Sequence, residues 1–176
     1  MANIDQKELR AAVHVLHEQA EKTNLAQSLI NGTIDSKKYK NLCFQLYLIA
    51  DYIEKKTDLP STLQRRTAFV KDIAECLESP VNICFATANY LTYLAGIEND
   101  LKGHIYAHYL GWLYGGQMIA KKLNLPKHHL QFENVKDSVE YMRNKILTNL
   151  TSNDAEEAKI AFEFIIAIYK EIDELH

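Results

Sequence analysis

His17 and Glu21 stand four residues apart on a segment whose apolar positions Leu9, Val13, Leu16 and Ala20 recur with helical spacing. On a helix this spacing stacks one side chain over the other, so a Glu21 oxygen can reach a His17 ring nitrogen. An imidazole held in this way by a carboxylate is suited to ligate a metal through its second nitrogen. The same pair also fits a histidine at the edge of a core, partnered by a surface glutamate. His14, one turn earlier on much the same side, is a weaker candidate.

A second group lies in Leu101 to Leu123, LKGHIYAHYLGWLYGGQMIAKKL, which reads as one long helix with Gly111, Gly115 and Gly116 in its interior. Each glycine is unfavourable there by roughly 1 kcal/mol relative to alanine, so bare backbone must serve a purpose. Tyr106, His108, Tyr109, Trp112 and Tyr114 surround the glycines. One purpose is the close approach of a flat apolar ligand; the other is a helix crossing with small residues at the contact. His104 and His108 have the spacing of a metal-ligand pair, but no inward glutamate obviously joins them. His128 and His129 fall in the polar stretch NLPKHHLQFENVKD and are expected to be solvated. Cys43, Cys76 and Cys84 lack CxxC or CxxxC spacing. That argues against a metal cluster or a disulfide framework and for a reducing, cytoplasmic setting, with Cys43 and Cys84 as buried apolar groups.

The elements that must position these residues are helical. The periodicity predicts a first helix from about Ile4 to Leu29, stopped by Asn31-Gly32, and a second starting after Asp35 and running to about Lys56. A third covers Ser61 to Leu77, with Arg65, Arg66 and Lys71 on a solvated face. Val81 to Ala95 comes next, closed by Gly96; a strand around Val81 to Phe85 is the alternative. After the glycine-bearing segment come helices from about Asp137 to Leu150 and from about Asp154 to Leu175. The last carries the stripe Ala158, Ala161, Phe162, Ile165, Ile168, Tyr169, Ile172. The chain therefore reads as a single all-α domain over residues 1–176, a multi-helix bundle with short connections.

Composition agrees. With 47% hydrophobic and 24% charged residues, the 176-residue chain is an ordinary soluble globular protein, and only three prolines and six glycines are present to make turns. A net charge of −3 and a pI near 6.2 offer no basic field for nucleic acid. The start, MANIDQKELR, lacks the apolar core of a secretory signal, and the apolar run Phe164 to Tyr169 is far short of a membrane span.

Two stretches together resemble the heme oxygenase family. Leu16-His17-Glu18-Gln19-Ala20-Glu21 is similar to its proximal-histidine motif, and Tyr109-Leu110-Gly111-Trp112-Leu113-Tyr114-Gly115-Gly116-Gln117 to its glycine-rich distal helix. Glu156 to Phe162 resembles the start of its last core helix, and the order of the three is preserved. The resemblance implies an all-α fold with heme, both cofactor and substrate, between a proximal and a distal helix. It implies His17 as the axial iron ligand with Glu21 as its partner. Gly111, Gly115 and Gly116 would lie over the ring, and Arg10, Tyr106 and Arg143 at the propionates. Phe162 and Tyr169 would line the apolar pocket. Gly111, Gly115 and Trp112 would shape the O2 site. The implied products are biliverdin, ferrous iron and carbon monoxide. Electrons would come from a partner such as ferredoxin or a reductase, since no GxGxxG follows a strand here.

The chain departs from the family pattern at several places. Trp112 stands where many members carry an Asp that organises water near O2. Val139 replaces a basic residue, and His14 stands where a basic residue is common. The chain is also shorter than typical members, and the C-terminal membrane anchor some carry is not expected here. A Trp112 side chain filling the distal space would leave a non-catalytic heme- or bilin-binding protein of the same fold. A di-metal oxidase or a thiamin-related hydrolase on that fold, or a plain helical interaction domain, are further alternatives. The interaction domain accounts for neither the glycines nor the His17–Glu21 pair.

Overall fold

Asp5 starts the first helix. Its carboxylate accepts from the Glu8 amide at 2.7 Å, and the Glu8 side chain accepts from the Asp5 amide at 2.8 Å. This reciprocal cap satisfies two donors that a helix start leaves unpaired. In the computed structural model, which describes all 176 residues, α1 spans Gln6–Glu21 and stops there. The single helix expected to reach Leu29 is broken at Lys22–Thr23. Thr23 takes an extended backbone, and its hydroxyl accepts from the Ala26 amide to open α2 (Asn24–Asn31). Unbroken apolar spacing conceals such a break, because a capping threonine is also tolerated inside a helix. Gly32 then turns the chain with a left-handed φ of 72°, its Cα against the Lys122 carbonyl.

Asp35 caps α3 (Ser36–Lys56) as expected. The next helix, α4 (Arg66–Glu75), is shorter than the predicted Ser61 to Leu77. Arg65 is the reason. Rather than lying on a solvated face, it is buried and donates to the carbonyls of Thr62, Leu63, Gln64 and Gln131. Its guanidinium also sits 4.0 Å from the centre of the Phe132 ring. The bonds to Thr62, Leu63 and Gln64 satisfy carbonyls that a longer helix would have used itself. No strand forms near Val81; Cys84 precedes α5 (Phe85–Ala95), which Gly96 closes.

The segment predicted as one helix from Leu101 to Leu123 is helical but irregular. It comprises α6 (Lys102–Ile105), a π-helical turn at Tyr106–Leu110, α7 (Gly111–Leu113), a break at Tyr114 and α8 (Gly115–Lys122). A 3-10 turn (His128–Leu130) leads to α9 (Val135–Tyr141), a second π turn (Met142–Ile146) and α10 (Ser152–Leu175). The C-terminal helix is the hub: α1, α2, α3, α5 and α6 all pack against α10. Its buried face is Ala155, Ala158, Ala161, Phe162, Ile165, Ile168 and Ile172, in one contiguous core with the other helices. Cys43 and Cys84 are buried in that core, as expected.

One of the two loop histidines also differs from expectation. His129 is buried, stacks on Phe69 at 4.4 Å and places Nδ1 2.6 Å from Asp72. Asp72 further accepts from the His128 and His129 amides, which pins the 3-10 turn to α4. A polar-looking loop is buried here because one carboxylate satisfies its donors.

Candidate functional site

α1 packs on α10, and so do α6 and the π turn that lead into Gly111, so α10 is the common floor on which these two walls stand. From α1, His17 projects half-exposed. Its Nε2 is 3.6 Å from a Glu21 oxygen, an electrostatic contact longer than a hydrogen bond. The ring meets Phe162 of α10 edge-on at 5.7 Å between centroids. Phe162 thus holds one side of the imidazole against the floor while the rest faces outward. His14 lies out on the surface beside Glu18, 3.3 Å away, and has no part in this arrangement.

On the other wall the glycines divide by role. A Cβ built on Gly111 or Gly115 meets no atom within 4 Å, so bare backbone there fronts open space. On Gly116 it would lie 2.7 Å from Leu130 Cδ2, so that glycine is small for packing. The close helix crossing is made at Gly103, where a Cβ would lie 2.5 Å from the Asp154 carbonyl and 2.6 Å from the Ala158 amide. Small size for packing is thus needed at Gly116 and Gly103, whereas no neighbour requires it at Gly111 and Gly115.

Trp112 does not face this open space. Its ring is buried against Phe69 at 5.2 Å and Tyr109 at 4.8 Å, on the side toward α4. Trp112, expected at the O2 site, thus has its side chain on the core side of the helix. One helical position from Gly111 is a rotation of about 100°, which carries its large apolar side chain into the core. Tyr109 lies behind it, donating at 2.8 Å to the buried carboxylate of Glu54, which also accepts from the Arg65 amide.

Arg10 neighbours Tyr106, and Arg143 is linked to Tyr106 through Tyr114. Burial raises the pKa of the Tyr106 phenol, and the neighbouring Arg10 charge opposes that rise. The Arg143 guanidinium lies 5.7 Å from the centre of the Tyr114 ring. Gln6 on α1 donates at 2.9 Å to the Arg143 carbonyl and at 3.0 Å to that of Leu147, tying α1 to the second π turn. Two exposed cations and a phenol make a donor set for carboxylates. Tyr114 and Gln6 were not legible as members; their partners lie far away in sequence. Tyr169, on the same helix as Phe162, is half-buried, and burial pushes its phenol up to about 12.

The pair His104 and His108 is buried, and here the sequence reading missed a partner. Glu157 of α10 does join it: His104 Nε2 is 2.8 Å from Glu157 Oε2. The Tyr90 hydroxyl lies between the rings, 2.7 Å from His104 Nδ1 and 3.2 Å from His108 Nε2. The polar atoms are thus engaged with one another. The one grouping of three potential metal-ligating side chains is elsewhere, at Cys43, Asp72 and His129, so the di-metal alternative finds no support at this pair.

No helix is long and apolar enough to cross a membrane. A heme oxygenase family model matches residues 5–171. Heme oxygenase 2 of mouse is 26% identical over 94% of this chain, which spans 64% of that relative's length. A heme oxygenase of the alga Guillardia theta is 25% identical over 94% of this chain and 85% of its own. Among solved structures, heme oxygenase-1 of the cyanobacterium Synechocystis in complex with heme superposes with a TM-score of 0.80 at 21% identity, covering 96% of this chain and 92% of that one. By its sequence over nearly its whole length, and with the fold those structures share, this chain belongs to the heme oxygenase family.

Proposed function

We propose that the chain binds heme between α1 and the glycine-bearing helix. It cleaves heme oxidatively to biliverdin, ferrous iron and carbon monoxide with O2 and electrons from an external donor such as ferredoxin or a reductase. The observation that carries this reading is the open space in front of Gly111 and Gly115, on a scaffold that also presents the half-exposed His17. Bare backbone at two helical positions, with no neighbour to require it, fits a flat ring laid against it.

In this reading His17 would hold the iron, with Glu21 close enough to take up a hydrogen bond from its imidazole. Arg10 and Arg143 with the Tyr106 hydroxyl bind the propionates. Phe162 and Tyr169 would pack against the ring and exclude water from it. When bound, heme supplies the redox and O2 chemistry through its own iron. The chain keeps the opposite face clear: Gly111 and Gly115 present no side chain, and Trp112 is withdrawn into the core. Proton delivery then falls to water, since Trp112 has no ionisable group.

The test is spectroscopic. Hemin added to the purified chain should give a Soret band at one equivalent. With ascorbate, or with ferredoxin and its reductase, under O2, that band should give way to a bilin spectrum with release of carbon monoxide. A band that persists under turnover conditions selects the non-catalytic heme- or bilin-binding alternative. Absence of saturable hemin binding overturns both readings.

A further inference from the structure

The π turn at Tyr106–Leu110 lies immediately before Gly111. A π turn accommodates one residue more than the α-helix around it, so everything downstream is rotated by roughly 100° relative to an unbroken α-helix. The direction in which Gly111 and Gly115 face therefore depends on that turn. So does the burial of Trp112. Without the extra residue, a different set of side chains would front the cleft.

Two histidines and a tyrosine hold the turn. His104 sits in α6 just ahead of it and His108 inside it, and both rings reach the same hydroxyl, Tyr90 of α5. Donor and acceptor counts fix the proton order. Glu157 accepts from His104 Nε2–H and, at 2.9 and 3.0 Å, from the Tyr93 hydroxyl. His104 Nδ1 is then an acceptor, so Tyr90 donates to it. The Tyr90 oxygen in turn accepts from His108 Nε2–H. Tyr90, His104 and His108 are all buried, and burial lowers both imidazoles, His108 to about 3, so both stay neutral and this order persists.

We infer that Tyr90 is a register lock: its hydroxyl, bonded to His104 and His108 and backed by Glu157, fixes the π turn that aims Gly111 and Gly115 into the cleft. Tyr90 acts through the helix, as a positioning residue, and the link from aim to turnover rests on the proposed heme-cleaving function.

The test uses Tyr90→Phe in the full chain, read first without ligand. Amide hydrogen exchange at Gly111, Leu113 and Gly115 should accelerate at least tenfold, while Leu9 and Val13 of α1 keep their protection. With hemin reduced under carbon monoxide, the C–O stretch should shift or split, because it reports the space and field over the iron's open face. Glu157→Gln, at a half-buried position, should give a smaller change of the same sign, and it decides alone if Tyr90→Phe does not fold. Unchanged exchange at Gly111 and Gly115 in the folded variants overturns the lock. Exchange that rises uniformly, α1 included, also overturns it, leaving only general stabilisation. If the parent chain fails to bind hemin, the heme reading falls, while the exchange data still judge the lock.

Discussion

Alanine at Gly111 should make the ligand-free protein more stable and the ligand-bound protein worse. Gly111 has helical backbone angles, φ −57° and ψ −47°, which alanine adopts without strain. Its Cβ would meet nothing within 4 Å, so no steric term opposes the change. The gain is then the helix-propensity difference, about 0.8–1 kcal/mol, which in a chain of this size raises Tm by roughly 2–4 °C. Circular dichroism at 222 nm during heating measures it. The opposite sign is expected once a ring lies on that backbone. A ring in van der Waals contact with a bare Cα leaves about 3.5–4.0 Å, and a methyl occupies about 1.5 Å of that. The ring must tilt or retreat, and a tenfold weaker hemin affinity, about 1.4 kcal/mol, is the expected scale. Soret titration measures it. Gly116→Ala is the control: its Cβ would press on Leu130 at 2.7 Å, so no stability gain is expected there. Two results would refute the reasoning. A destabilised ligand-free Gly111→Ala chain means the space is not open; a stabilised chain with unchanged hemin affinity means the ligand does not lie there.

Other perturbations are simpler. His17→Ala should weaken hemin binding at least tenfold and change the ferric spin state, and an unchanged visible spectrum would remove His17 from the iron. Trp112→Phe should lower the urea midpoint by an amount worth roughly 1–3 kcal/mol through lost packing on Phe69 and Tyr109, yet leave the ferric hemin spectrum as it was. A changed spectrum would return Trp112 to the cleft. Acid should destabilise the chain. Burial holds His108 at about 3 in the folded state, below its ordinary value of about 6.5, so the unfolded chain binds its proton first. Stability is full above pH ~6.5 and falls as pH drops toward 3, by about 2–3 kcal/mol at pH 4.5 from this residue alone. His104 and His129, also lowered by burial, add to the same trend. Urea midpoints between pH 7 and 4.5 test it, with a flatter slope in His108→Gln; a flat profile in the parent would contradict the neutral buried imidazole.

The all-helical class, the stripe of α10, the Asp35 cap and the adjacency of His17 and Glu21 were legible because they are local. Helical periodicity and capping act over a few residues, and one sequence displays them directly. The three glycines could likewise be seen to need a reason. Which reason applied to each was beyond the sequence, because the answer lies in residues remote along the chain: Leu130 for Gly116, nothing for Gly111 and Gly115. The same is true where the expectations failed. Arg65 is buried by the carbonyl of Gln131, His129 by Asp72, and Glu157 reaches His104 across 53 positions. Composition marks all of these as polar and therefore outside; only tertiary structure brings together the partners that satisfy them within the core.

Trp112 shows the division most plainly. The sequence determined that an indole comes directly after the first glycine, and left its direction undetermined between cleft and core. The π turn at Tyr106–Leu110 decides it by adding a residue to the helix and so rotating the segment downstream. That turn leaves no periodic trace. It is set by contacts to α5 and α10, and through them tertiary structure decides which wall of the cleft is bare.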